Sequence, residues 1–257
     1  MSALTPAQTA EAAVNAGLAK VSVSPLRLVV NGVLAGAFIA LGGALSLIVG
    51  YGFPGLTADN PALQRLLSGA MFPIGLILVV ILGAELFTGN NAVLIPAWRR
   101  GHYGFRKIVA NWCAVYILNF VGAIAFTWLL VYEAGLTASP LYRDATVAIA
   151  STKTSLPWLT VFVRGIGANW CVCLAVWLAL SSRSTIGKMA GCWLPVMAFV
   201  ALGYEHSIAN MFYLPLGILN GAPVTAWQAI VDNLIPATLG NVAGGALFVG
   251  LPFSLSR

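Results

Sequence analysis

Charge is what this sequence is short of. Thirteen lysines and arginines and seven aspartates and glutamates make up 8% of its 257 residues, against about 25% in an average soluble domain. So little charge cannot cover a water-facing surface, which excludes an ordinary soluble globule. Histidine is scarcer, with only His102 and His206. The four cysteines, Cys113, Cys171, Cys173 and Cys192, show neither zinc nor redox spacing and lie in apolar runs, where a thiol serves as a small hydrophobe. A phosphate-binding glycine loop, a zinc-ligand motif and a Gly-x-Ser-x-Gly elbow are also missing. These gaps point away from an enzyme, and neither a cofactor nor a metal is expected.

What the chain has is apolar residues, 60% of the total, with a mean hydropathy of +0.91. Several runs of twenty or more predict an all-α integral membrane protein. Residues 1–25 read as a separate N-terminal segment. Thr5-Pro6 predicts a helix start, Leu4, Ala7, Val14, Leu18 and Val21 predict a weak apolar stripe on a short surface helix, and Ser24-Pro25 ends it. Residues 26–257 then form one six-span domain, with spans near 26–51, 66–98, 108–132, 158–181, 188–220 and 234–253, joined by short connections.

The net charge of +6 could suggest a nucleic-acid partner, but the basic residues lie between spans and form no patch. With the N-terminus inside, nine lysines and arginines fall in inside segments and three, Arg65, Arg143 and Lys153, fall outside, leaving Arg164 within span 4. The positive-inside rule accounts for that bias and puts both termini in the cytoplasm, most simply at the cell membrane. The lipid bilayer is the partner this composition implies, and nucleic acid is not.

Spans 2 and 5 are too long. About 32 residues of continuous helix would measure roughly 48 Å against a hydrocarbon core of about 30 Å. Each carries a polar octet at its middle: Gly83-Ala84-Glu85-Leu86-Phe87-Thr88-Gly89-Asn90 and Gly203-Tyr204-Glu205-His206-Ser207-Ile208-Ala209-Asn210. Gly83, Thr88 to Asn91 and Gly203 are poor helix formers, so both spans are expected to be half-helices joined by non-helical loops. The glutamates repeat after 120 residues, and Asn111, Asn119, Gly122 and Phe126 repeat after 122 as Asn233, Asn241, Gly244 and Phe248. Spans 1–3 and 4–6 (about 26–132 and 158–253) therefore read as duplicated halves, and three spans per half make them inverted. Inverted repeats with matching broken helices are a transport architecture, with the substrate path where the breaks meet.

Chemistry at the breaks centres on His206. A buried structural histidine is the ordinary reading, but its place beside Glu205 and Ser207 and opposite Thr88 favours lining the path. Its imidazole can exchange a proton near neutral pH. Asn210 closes the same octet. Glu85 and Glu205 must be paired or protonated if buried, and propping the loops suits them better than direct substrate contact. Phe72, Leu86, Phe87 and Phe199 recur near the breaks, where they could form apolar constrictions or simply pack. An intramembrane enzyme using Glu205 and His206 would need a nucleophile, and Ser207, on the same turn as His206, is the single candidate.

Both octets, together with Asn169-Trp170-Cys171-Val172-Cys173-Leu174-Ala175, resemble the signatures of the formate/nitrite transporter family over about residues 20–255. The resemblance implies an aquaporin-like protomer in a homopentamer, with one path per subunit. It implies that Thr88 on the span-2 loop faces a central His206, with Leu86, Phe87, Phe72 and Phe199 at the constrictions. Lys153, Glu205 and Asn169 would support them, although Glu85 stands where the family often has Asp. It implies a small monovalent weak-acid anion as cargo. Asn210 to Gly217 reads closer to formate-type than to nitrite-type members, while nitrite, hydrosulfide, acetate and lactate fit the same pore physics. The N-terminal segment is expected at the cytoplasmic mouth.

Overall fold

The computed structural model describes residues 3–255, and every regular element among them is helical. Helix α1 spans Pro6–Val21, begun by a capping box in which Thr5 and Gln8 exchange hydrogen bonds. Then come α2 (Pro25–Tyr51), a single turn at Pro54–Thr57, α3 (Pro61–Leu82, bent at Pro73), α4 (Phe87–Arg99) and α5 (Phe105–Tyr132). The second half of the chain runs α6 (Pro140–Ser155), α7 (Trp158–Ser181), α8 (Thr185–Ala201), α9 (Ser207–Leu219) and α10 (Ala226–Leu255). Proline opens α1, α2, α3 and α6, where its missing N–H would have had no intrahelical partner.

Helices α2, α3, α5, α7 and α10 are long and apolar enough to cross a membrane. At 17 and 13 residues, α8 and α9 measure about 26 and 20 Å and fall short singly. The breaks are shorter than the sequence suggests. The first occupies Gly83–Leu86 and the second runs from Leu202 to His206. Thr88 to Asn91, expected in the non-helical stretch, form the first turn of α4. Asn90 N–H already reaches Leu86 O at 3.0 Å, so poor propensity yields to an ordinary helical hydrogen bond in a buried setting. Gly83 and Gly203 take left-handed φ of 74° and 72°. Each lets the next amide bond back five residues, Ala84 to Val79 O and Tyr204 to Phe199 O, which closes α3 and α8.

Two further expectations change. Val14 is buried in α1, but Ala7 is exposed; the packed face is Thr9, Ala10, Ala13, Val14 and Gly17, set against α4. Small residues let the backbones approach, and a Cβ on Gly17 would lie 2.8 Å from Val93 O. Lys153, expected in a short connection, lies on α6, whose run of threonines and serines carries little apolar periodicity.

Glycines set the long-helix crossings. A Cβ on Gly36 of α2 would stand 2.0 Å from Asn119 O of α5, and one on Gly122 would stand 1.9 Å from Val33 O. Gly240 and Gly244 of α10 meet Phe162 O and Ile166 O of α7 in the same way. Since both partners at Gly36 are helix backbone, Gly36→Ala should destabilise the protein by about 1–3 kcal/mol through overpacking. Thermal unfolding of the detergent-purified variant checks this, and an unchanged midpoint would refute it.

Candidate functional site

Two buried carboxylates hold the breaks, and they are held alike. Glu205 Oε2 accepts from Lys153 Nζ at 2.9 Å, Asn210 Nδ2 at 2.7 Å and Asn233 Nδ2 at 3.2 Å, with Lys153 also reaching Oε1 at 3.0 Å. Glu85 Oε2 accepts from Lys20 Nζ at 3.0 Å and Asn90 Nδ2 at 2.9 Å. Asn90 goes on to Asn111 as Asn210 goes on to Asn233. Lys20, at the end of α1, thus does for the first break what Lys153, at the end of α6, does for the second. Lys20 lies outside both polar octets, so the sequence pattern does not announce it as the partner of Glu85.

One asparagine in each half pairs part of the backbone at its break. Asn119 Oδ1 accepts the Phe87 amide, and its Nδ2 donates to Gly32 O and Glu85 O. Asn241 Oδ1 accepts the Ser207 amide, and its Nδ2 donates to Gly165 O and Glu205 O. The amides of Glu85 and Glu205 donate to Asn31 O and Arg164 O. These bonds let non-helical chain persist where no water would otherwise pair it.

The half-helices α4 and α9 have Leu86 and His206 as their N-caps, and their first turns meet. His206 Nε2 lies 3.0 Å from Thr88 Oγ1. Its Nδ1 accepts the Ala209 amide at 3.1 Å, which leaves the ring proton on Nε2, pointing at Thr88. Both helix N-termini present partial positive charge to this point. Behind Thr88, its carbonyl accepts from Cys173 Sγ at 3.3 Å. Asn169 belongs here too: its Nδ2 donates to Asn91 Oδ1 and Asn241 O rather than to the Glu205 carboxylate.

Over His206 the rings stack. Phe199 lies 5.6 Å away at an interplanar angle of 20°, and Phe72 meets Phe199 edge-on at 5.7 Å. A cavity of about 340 Å³ opens above them, lined by Phe72, Phe199, His206, Asn210, Lys153, Glu205 and the arginines Arg65 and Arg164. The Phe87 ring lies 4.9 Å from that of Tyr116; Leu86 is buried at the N-cap of α4. Asn210 touches the cavity yet spends its amide on Glu205 and Asn233.

The family description "Formate/nitrite transporter" matches residues 7–255, nearly the whole of this architecture. The chain belongs to the formate/nitrite transporter family. It is 40% identical over 260 residues to a probable formate transporter of Methanothermobacter thermautotrophicus, with 95% of this chain and 94% of that protein covered. Among solved structures it resembles an FNT family ion channel at a TM-score of 0.85, 31% identity and 98% coverage of both chains. It also resembles a pentameric formate channel with formate bound at 0.78 and 32% identity, over 90% of this chain and 96% of that one. As a member of a transporter family, it is a membrane transport protein and not an enzyme.

Proposed function

We propose that the protein passes small monovalent weak-acid anions, formate foremost, along a path centred on His206. The observation that carries this reading is the contact of His206 Nε2 with Thr88 Oγ1 at 3.0 Å, where two half-helix N-termini converge beneath Phe72 and Phe199. Positive helix ends and Lys153 draw the anion in. Phe72 and Phe199 strip its water, with Leu86 and Phe87 as the apolar residues of the other break. Glu85, Glu205 and Asn169 keep the breaks in shape, and Asn210 joins that scaffold to the path.

Magnitudes alone do not choose between a bare anion and a protonated acid at the narrow point. A bare anion faces several kcal/mol in an apolar constriction. Protonating an acid of pKa about 4 at pH 7 costs about 4 kcal/mol, after which the neutral acid crosses cheaply. The two costs compare, so a donor at the constriction tips the balance. His206 offers Nε2–H to the anion as a hydrogen bond. Full transfer, directly or through water, requires the Ala209 bond to open so that Nδ1 takes up a proton.

The same reading has two inverted three-span halves, both termini in the cytoplasm of a cell-membrane protein, and α1 at the cytoplasmic mouth. It has a homopentamer with one path per subunit, supported by likeness to a pentameric formate channel. Formate leads because relatives named for formate match nearly the full chain.

Labelled formate uptake into proteoliposomes tests the proposal, beside nitrite, hydrosulfide, acetate and lactate. Uptake should rise as external pH falls, and His206→Ala should lose that pH-dependent part. Undiminished pH-dependent uptake by the variant would overturn the proton-exchange role, and a panel led by another anion would replace formate.

A further inference from the structure

Arg164 has no part in the mechanism above. It lies half-buried on α7, on the wall of the cavity above Phe72 and Phe199. Among the described residues no carboxylate lies within 4.0 Å of its guanidinium, and no side-chain hydrogen bond engages it. A cation inside a membrane span ordinarily pairs with another residue or faces water on a substrate pathway.

The rest of the wall does not answer its charge. Its charged residues are Arg65, Lys153, Arg164 and Glu205, three cations against one carboxylate. Lys153 and Glu205 are bonded to each other, so Arg164 and Arg65 are left over. Arg65 is exposed nearer the rim, on α3. The first half of the chain has no such cation. Asn31 O accepts from Glu85 N as Arg164 O accepts from Glu205 N, so asparagine holds the corresponding place. A surplus of two cations on one entrance of a chain this poor in charge is unexplained by folding.

We propose that Arg164, assisted by Arg65, is a capture site for a planar O–X–O monoanion at the entrance beside Lys153. This rests on the transport reading above and adds the residue that receives the ion before the aromatic constriction. A guanidinium presents two parallel N–H donors that fit both oxygens of a carboxylate such as formate, and equally the two oxygens of nitrite. Hydrosulfide, with one sulfur, gains the charge but not the fork. Arg65 supplies field at the rim, concentrating anions and making entry salt-dependent.

The test measures initial uptake against anion concentration in proteoliposomes, with equilibrium formate binding to detergent-purified protein alongside. Arg164→Gln should raise the half-saturating formate concentration about tenfold, the scale of lost electrostatic concentration, without lowering the maximal rate. The shift should be similar for nitrite, smaller for hydrosulfide, and only partly reversed in Arg164→Lys, which keeps the charge without the fork. Rising ionic strength should weaken uptake more in the unmodified protein than in the variant. If Arg164→Gln fails to fold, Arg65→Gln, at an exposed position, should still raise half-saturation about twofold and blunt the salt effect. An unchanged half-saturation in these variants, or a fall in maximal rate alone, would overturn the capture site. Formate binding that depends on Arg164 without any flux in the unmodified protein would instead sink the transport reading and leave the site standing.

Discussion

Lys153→Met should destabilise the protein by about 3–5 kcal/mol, the usual consequence of removing one partner from a buried ion pair. Glu205 keeps only 3% of its side-chain exposure. Without the ammonium its carboxylate retains just the amide donors Asn210 and Asn233, which do not balance a full charge in a water-poor site. The lost energy is mainly that of an uncompensated charge, so Lys153→Met combined with Glu205→Gln should recover most of it. Thermal unfolding of the single and double variants in detergent provides the comparison. A double variant no more stable than Lys153→Met would show that the lysine acts through packing on Tyr213, whose ring lies 5.7 Å from Nζ. Lys20→Met should follow the same pattern with a smaller cost, because Lys20 and Glu85 are more exposed, at 21% and 7%. Flux should separate recovery of fold from recovery of function. The double variant lacks the Lys153 ammonium at the cavity and should remain slower than the unmodified protein.

The breaks were legible because polar residues in an apolar run are conspicuous and because Glu85 and Glu205 repeat at an interval of 120. The Lys20–Glu85 pair was hidden by arithmetic. Lys20 and Lys153 lie 133 residues apart (153 − 20), whereas the glutamates lie 120 apart (205 − 85). Six residues of the difference fall between α2 and α3, where the first half carries the extra turn at Pro54–Thr57, three within α2 and four between the start of α3 and Glu85. Aligning Pro25 with Trp158, the first residues of α2 and α7, would have exposed the second lysine. The sequence could not say where Phe87 points. Its place beside Leu86 suggests the path, and the edge-on contact of its ring with Tyr116 is a matter of packing that periodicity does not encode. Propensity places Thr88 in the loop, but the helical bond from Asn90 N–H to Leu86 O already encloses it.

Asn241→Leu should be the most damaging single replacement of a neutral side chain in the second break. Leucine is close in size but leaves the Ser207 amide and the carbonyls of Gly165 and Glu205 without their present partner. Each buried group left unpaired costs about 1–3 kcal/mol, so the sum rivals the whole stability margin of about 5–15 kcal/mol typical of proteins. Asn241→Asp should not rescue it. A carboxylate still accepts from Ser207 but faces two carbonyls with no proton to offer, close to a second carboxylate in Glu205. Any variant protein that survives should show faster hydrogen exchange at the Ser207 amide and weaker formate flux, because Ser207 follows His206 and fixes where α9 begins. Asn119→Leu removes the same three kinds of bond from the first break, yet it leaves His206 seated. It should therefore lower stability comparably while sparing more of the pH dependence of uptake. Equal loss of pH dependence in the two variants would mean that His206 takes its position from the meeting of both breaks, and not from Asn241 and its own helix alone.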